Sequence, residues 1–130
     1  MDNQLCRVLL VDDVPAVRES LRWAFEEVSY IQIVGEANDG LEALQLATSL
    51  QPDLVILDIE LPGLNGYRVA AHLKATRPET LIIFLTVHNQ TEYRQQATMI
   101  GADGFVEKSA GWPTLLLKIA ELLAQKQKQR

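Results

Sequence analysis

The sequence has a single cysteine, Cys6, among its 130 residues, which excludes an internal disulfide and fits a reducing compartment. Its apolar runs reach about six residues, far short of the roughly 20 that a membrane-spanning helix needs. A secretory signal stretch is also lacking at the N-terminus. Twelve Lys and Arg against 17 Asp and Glu leave a net charge of −5, which disfavours binding of nucleic acid or an anionic membrane by this domain alone. These features predict one cytoplasmic domain.

Short apolar segments alternate with amphipathic segments along the chain. The apolar segments, mostly rich in Val, Ile, Leu or Phe, predict buried parallel strands, and the segments between them have helical periodicity. This alternation favours a parallel sheet with right-handed crossovers and helices on both faces. The predicted strands are residues 7–11, 31–36, 54–57, 81–85 and 104–106, and the predicted helices are residues 15–28, 41–49, 66–76, 91–100 and 113–127.

Carboxylates follow two of the predicted strands. Asp12 and Asp13 come directly after the first strand, and Asp58 follows the third. Sites in open α/β sheets lie at the carboxyl edge of the strands, so these side chains are expected to lie close together. Like charges a few ångströms apart repel by roughly 1 to 4 kcal/mol per pair, and a hard cation with oxygen ligands relieves such repulsion. The three acids therefore predict a magnesium site.

Two more polar side chains are expected at the same edge. Thr86 follows the fourth predicted strand, and Lys108 follows the fifth. A carboxylate nucleophile beside a metal, a hydroxyl and an ammonium suits phosphoryl transfer to Asp58, since Thr86 would hydrogen-bond a phosphoryl oxygen and the cations would neutralise its charge. Aspartate is an established phosphoryl acceptor. Each residue alone is a weak signal, whereas the combination is specific.

These residues together resemble the receiver domain of two-component response regulators. The resemblance covers residues 5–123 and implies a doubly wound, flavodoxin-like α/β fold, with a five-stranded parallel sheet in the order 2-1-3-4-5 and five helices, the first and last on one face. Residues 124–130 are then a polar tail or the start of a linker. The motifs that carry the resemblance are Asp12-Asp13, Asp58 followed by Leu61-Pro62-Gly63, Thr86, and the segment from Gly101 to Lys108.

The resemblance implies a signalling phosphoacceptor rather than an enzyme. Asp58 would take a phosphoryl group from the phosphohistidine of a sensor histidine kinase or a phosphotransfer protein, and the domain would assist its own phosphorylation and dephosphorylation. Thr86 and Phe105 would form a switch pair that changes the surface of the fourth helix, fifth strand and fifth helix, and Lys108 would bind the phosphoryl group.

The resemblance also implies how Mg²⁺ is held. The carboxylates of Asp13 and Asp58 and the backbone carbonyl of Glu60 would be ligands, with Asp12 acting mainly through bound water. The side chain of Glu60 is either a plain turn residue or a modulator that repels incoming water or phosphate.

Three positions near this site depart from the family pattern or modulate it. Val87 stands where the family usually has a small residue, and its branched side chain is expected to crowd the phosphoryl group. Ser109 stands where many receivers have proline, so the Lys108–Ser109 bond is either cis or part of a rearranged trans loop. His88 is expected to be an exposed loop residue, with control of water access as the alternative.

The segments around Val34-Gly35-Glu36-Ala37 and Lys108-Ser109-Ala110 are similar to the branch of receivers with a helix-turn-helix DNA-binding output domain. This branch implies that DNA would be bound only through an output domain that these residues do not contain, and we expect the chain to be a fragment cut at the linker rather than a stand-alone receiver. On the first and fifth helices, Trp23 and Leu117 fall off the core faces. They suggest a homodimer or kinase-docking surface, unless Trp23 lies flat in the groove between the two helices.

Three alternative interpretations fit the residues less well. An aspartate-nucleophile phosphatase of the haloacid-dehalogenase type would need a second Asp where Glu60 stands. A flavodoxin would need a phosphate-binding loop where the anionic Asp12-Asp13 pair stands. A degenerate receiver that only binds partners would not need the reacting positions, all of which are present.

Overall fold

The computed structural model describes residues 5–88 and 90–128, and in these residues strands and helices alternate as predicted. The strands are β1 (Cys6–Val11), β2 (Ile31–Ala37), β3 (Leu54–Leu57), β4 (Leu81–Thr86) and β5 (Gly104–Glu107). The helices are α1 (Pro15–Phe25), α2 (Gly40–Leu50), α3 (Gly66–Thr76), α4 (Thr91–Ile100) and α5 (Trp112–Lys128), with a 3₁₀ turn over Lys108–Ala110 before α5.

All neighbouring strands of the sheet are parallel and follow the order β2-β1-β3-β4-β5. This arrangement confirms the predicted topology. Alternate residues of β1 reach opposite faces: Val8 and Leu10 pack with α1 and α5, whereas Leu9 and Val11 pack with α2, α3 and α4. The central strands are therefore buried on both sides, which is why they read as continuous apolar runs.

The predicted boundaries of most elements agree with the structure to within one residue at each end. Side-chain caps explain this at α2 and α3, where Asp39 and Asn65 accept hydrogen bonds from backbone N–H groups of the first turn. Gly101, with φ of 100°, ends α4 in the left-handed conformation. The exception is α1, which was predicted to reach Val28.

Helix α1 ends at Phe25 because the backbone tightens there. The N–H of Glu26 donates to the carbonyl of Trp23 and that of Val28 to Phe25, both three residues back, so the α-helical pattern stops while Val28 still packs against the core. At the other end of the chain, α5 runs to Lys128 through most of the predicted polar tail, whose last two residues lie outside the described residues.

Every peptide bond is trans in the part of the chain that the structure describes, so the Lys108–Ser109 bond belongs to the rearranged trans loop and the cis alternative is wrong. Gly111, with φ of 90°, turns the chain from the 3₁₀ turn into α5. No helix within the described ranges is both long enough and apolar enough to span a membrane.

Candidate functional site

Four strands end at one edge of the sheet and carry the predicted site residues. Asp12 follows β1 and Asp58 follows β3, while Thr86 is the last residue of β4 and Lys108 comes after β5. Strand hydrogen bonding continues into the acids, since the N–H of Asp58 donates to the carbonyl of Val11 at 3.0 Å. Asp12, Asp58 and Thr86 are buried, with exposures of 3%, 7% and 0%. The sheet therefore fixes the backbone of the site.

The three acids form a cluster at this edge. Asp12, Asp13 and Asp58 each offer a carboxylate oxygen, and these oxygens lie within 4.8 Å of one another. Asp13 is exposed, whereas the other two are buried. A hard divalent cation prefers such an all-oxygen donor set, so the residues present fit Mg²⁺.

Lys108 bridges the two buried acids. Its Nζ lies 2.8 Å from Asp12 Oδ2 and donates to Asp58 Oδ2 at 3.0 Å. Burial raises the pKa of Asp58, and the hydrogen bond and charge of Lys108 offset part of this effect. Burial alone would lower the pKa of Lys108, but its hydrogen bonds to the two carboxylates outweigh burial and raise it. The ammonium is therefore charged at neutral pH and lies directly beside Asp58.

The loop after Asp58 is packed tightly against the start of α3. Gly66 donates its N–H to the carbonyl of Ile59 at 2.7 Å, and a Cβ at this position would lie 2.1 Å from the carbonyl oxygen of Asp58. Only glycine allows this approach, so Gly66 helps to set the position of Asp58. The side chain of Glu60 is 66% exposed, and the metal role of its backbone carbonyl remains a prediction.

His88 connects the loops that follow β3 and β4. Its Nε2 lies 3.0 Å from Glu60 Oε2, and its ring stacks on Tyr93 with the centroids 4.2 Å apart. The His88 N–H donates to the hydroxyl of Thr86 at 3.3 Å. The side chain is only 21% exposed, so the expectation of an exposed loop histidine is wrong. Val87 is 67% exposed, and its crowding of a phosphoryl group remains a prediction.

Phe105, the second member of the predicted switch pair, is held by a residue that sequence reasoning missed. The guanidinium of Arg94 lies 4.7 Å from the centroid of the Phe105 ring, and Arg94 Nη2 lies 3.6 Å from Glu107 Oε1. This cation–π contact joins α4 to β5. The sequence offered no signal for it, because an arginine on an exposed helix face has many alternative partners.

A second missed residue is Arg18 in α1. Its guanidinium donates from Nη1 to the carbonyl oxygen of Asp12 and from Nε to Glu36 Oε1 at 3.1 Å. The only sequence signal for this contact is a cation about one turn into the helix that follows the acid pair. Arg18 thus touches the backbone of a site residue.

Trp23 and Leu117, the predicted partner surface, are both exposed, at 77% and 63%. Trp23 borders a shallow groove that is also lined by Trp112 and Glu19. The groove does not bury the tryptophan, so the alternative in which Trp23 lies flat between α1 and α5 is wrong. A role in partner binding remains a prediction.

Comparisons with known proteins agree with this geometry. A protein of Pseudomonas aeruginosa whose name assigns it to the transcriptional regulators is 42% identical over 120 residues, which cover 92% of this chain and 58% of that protein. The nitrate/nitrite response regulator protein NarL of Escherichia coli (strain K12) is 36% identical over 109 residues, or 83% of this chain and 50% of that protein. The chain thus spans about half the length of these curated relatives.

Solved structures and a family model point the same way. The crystal structure of a LuxR-family two-component response regulator from Aurantimonas sp. SI85-9A1 matches with a TM-score of 0.88 and 34% identity, over 94% of this chain and 87% of that chain. The signal receiver domain of a NarL response regulator from Mycobacterium tuberculosis matches with a TM-score of 0.83 and 31% identity, over 98% and 99% of the two chains. Residues 8–120 match the model of the response regulator receiver domain. The chain therefore belongs to the receiver domain family of two-component response regulators.

Proposed function

We propose that Asp58 is the phosphoacceptor of this receiver domain and that a sensor histidine kinase or phosphotransfer protein is the donor. The observation that carries the proposal is the Lys108 ammonium, which lies 3.0 Å from Asp58 Oδ2 inside a cluster of three carboxylates. A purely structural ion pair would not need the additional exposed carboxylate of Asp13. The arrangement instead provides a nucleophile with cationic support beside it.

In the proposed reaction, a carboxylate oxygen of Asp58 attacks phosphorus. A new P–O bond forms as the P–N bond of the phosphohistidine breaks, and the electrons of that bond remain on the imidazole nitrogen. Lys108 stays anchored to Asp12 at 2.8 Å while it neutralises charge on the phosphoryl oxygens, and Thr86 donates its hydroxyl to one of them. The charge of Lys108 also favours the ionised Asp58 that the attack requires.

Mg²⁺ would be held by Asp13, Asp58 and the backbone carbonyl of Glu60, with Asp12 acting through water. When bound, it would neutralise the acid cluster and the developing charge on the transferred group. Asp12 suits an indirect role, because its Oδ1 accepts the N–H of Val14 at 2.9 Å and its Oδ2 faces Lys108. Both of its oxygens already have partners, whereas Asp13 is exposed.

The domain would act as a signalling phosphoacceptor that assists both gain and loss of its phosphoryl group, not as an enzyme with a free substrate. Phosphorylation would draw Thr86 toward the new dianion and move Phe105, which alters the surface of α4, β5 and α5. DNA would be bound only through an output domain outside these residues. The domain bounds of residues 5–123 stay a prediction. The same holds for a tail or linker over residues 124–130 and for a cytoplasmic location.

The contacts of Glu60 favour a receiver over a phosphatase. A haloacid-dehalogenase-type enzyme uses an acid two residues after the nucleophile to protonate the leaving group. Here the Glu60 carboxylate lies against His88 and is 66% exposed, so it is not aimed at Asp58 Oδ2. The degenerate receiver is disfavoured because Lys108 already contacts Asp58.

Intact-mass spectrometry after incubation with acetyl phosphate tests the proposal. With Mg²⁺, the chain should gain one phosphoryl group, and the gain should disappear in EDTA. Asp58→Asn is the matched variant, since it preserves the shape of the side chain without its nucleophilic charge. Labelling of Asp58→Asn equal to that of the wild type, or steady release of phosphate that continues undiminished in Asp58→Asn, would contradict the proposal.

A further inference from the structure

Asp12 is fixed at four points, and only one of its four partners, Lys108, belongs to the predicted site. Its main-chain N–H continues the hydrogen bonding between β1 and β2. One carboxylate oxygen accepts a backbone N–H two residues later in the chain, and the other contacts the ammonium of Lys108. The remaining group is the carbonyl oxygen, which lies beyond the last paired residue of β1 and accepts from the guanidinium of α1. The four partners are Ala37 O at 3.1 Å, Val14 N at 2.9 Å, Lys108 Nζ at 2.8 Å and Arg18 Nη1.

Arg18 is itself oriented by a second contact. Its Nε donates to Glu36 Oε1 at 3.1 Å, and the side chain is only 16% exposed. Glu36 also accepts from Arg22 Nη1 at 2.6 Å. A guanidinium is planar and donates in fixed directions, so binding to Glu36 on β2 sets the direction in which Nη1 meets Asp12. Arg22 contacts the same glutamate but not Asp12, and its side chain is 47% exposed.

From this geometry we infer that Arg18 is a positioning residue for metal binding: it holds the β1–α1 loop so that Asp12 and Asp13 face Asp58, and Glu36 orients it. The inference rests on the proposed function. The positioning effect and the charge effect of Arg18 change the affinity for Mg²⁺ in opposite directions. A positive charge close to a cation site weakens cation binding by repulsion, so removing Arg18 would strengthen Mg²⁺ binding if charge were its only effect. If Arg18 positions the loop, its removal weakens Mg²⁺ binding.

Calorimetric titration of the whole chain with Mg²⁺ alone tests whether loss of Arg18 weakens or strengthens Mg²⁺ binding. We expect Arg18→Ala to weaken Mg²⁺ binding on the order of tenfold, the usual size for loss of a group that orients a metal ligand. Arg18→Lys keeps the charge but loses the fixed fork, and it should weaken binding to a similar extent. Arg22→Ala removes a second arginine that contacts Glu36 but does not touch Asp12, so Mg²⁺ binding should not weaken.

Amide hydrogen exchange without metal provides a reading independent of binding. The N–H of Val14 donates to Asp12 Oδ1, so Arg18→Ala should speed its exchange, whereas Arg22→Ala should not. Unchanged or tighter Mg²⁺ binding in both Arg18 variants would overturn the inference. If the wild type still gains a phosphoryl group on Asp58, the proposed function survives that result; a wild type that neither binds Mg²⁺ nor gains the group would overturn both.

Discussion

Asp58→Asn is expected to stabilise the metal-free chain, although it removes a residue at the centre of the site. In the wild type, Asp58 shares the cluster with the carboxylates of Asp12 and Asp13 and is 7% exposed. Lys108 is the cationic side chain that offsets this repulsion, and it is shared with Asp12. An asparagine keeps the shape of the side chain and removes its charge.

The expected gain follows from the charges at the site. The substitution removes the cost of burying a charge and the repulsions with Asp12 and Asp13, and it loses the attraction of Lys108, so a net gain of about one pair interaction is expected. A pair at this spacing contributes about 1 kcal/mol in water and about 4 kcal/mol at the effective dielectric of a protein surface. Because Asp13 is exposed, the net gain should be about 1 to 2 kcal/mol, which raises the melting temperature by about 4 °C or more.

The gain should depend on pH in a defined direction. Burial raises the pKa of Asp58 in the folded chain, so the folded state holds this proton more tightly than the unfolded state, where Asp titrates near 3.9. The destabilisation by ionised Asp58 is therefore fully present above the raised pKa of the folded state. It decreases as the pH falls through that pKa and is lost below about 3.9, where wild type and variant should melt alike.

Thermal melting in EDTA from neutral pH down to about 3.5 measures the difference. Asp13→Asn is the control, because it removes an exposed charge from the same cluster and should have a smaller effect. Mg²⁺ at a hundred times its dissociation constant should stabilise the wild type by about 2.7 kcal/mol and the Asp58 variant by less. A metal-free Asp58→Asn chain that melts below the wild type at neutral pH would refute the repulsion argument.

Three further predictions concern the rim and the outer surface. Thr86→Ala should still take up the phosphoryl group but should lose the coupled change of α4, β5 and α5; identical amide shifts on phosphorylation with and without the hydroxyl would count against the switch. Val87→Ala should speed both labelling by acetyl phosphate and loss of the label, because a smaller side chain opens the in-line path, and equal rates would mean that Val87 points away. Trp23→Ala with Leu117→Ser should weaken self-association or kinase docking in sedimentation and binding assays; no change in either would leave both residues without a partner role.

The fold could be predicted from the sequence because its signals are local. The four apolar residues before Asp58 predict a buried strand, and the acid that follows them predicts the sheet edge at which the strand ends. The bounds of α3 agree fully with the prediction, and Asn65 caps the first turn of that helix. The end of α1 was misjudged for the same reason: apolar spacing continues to Val28, whereas backbone hydrogen bonds change at Glu26, and periodicity reports only the first of these.

The site could be predicted only as a set of positions. That Asp12, Asp58 and Lys108 meet follows from three parallel strands ending at one edge. The sequence does not predict which cation contacts which oxygen, because a long side chain can reach several partners that the fold brings together from distant parts of the chain. Arg18 meets Glu36 across 18 residues, and the ring of His88 turned inward onto Tyr93 rather than out to solvent.

Lys108 links the stability of the site to its chemistry. The two short contacts that hold its ammonium between Asp12 and Asp58 reduce the repulsion of the metal-free cluster, and they also place a positive charge where phosphoryl oxygens would develop negative charge. Mg²⁺ can take over the first of these effects, because any cation bound among the carboxylates relieves their repulsion. It does not replace the directed N–H donor at Asp58, so loss of this lysine would leave a chain that metal can stabilise but that lacks the charged N–H donor for the transferred group.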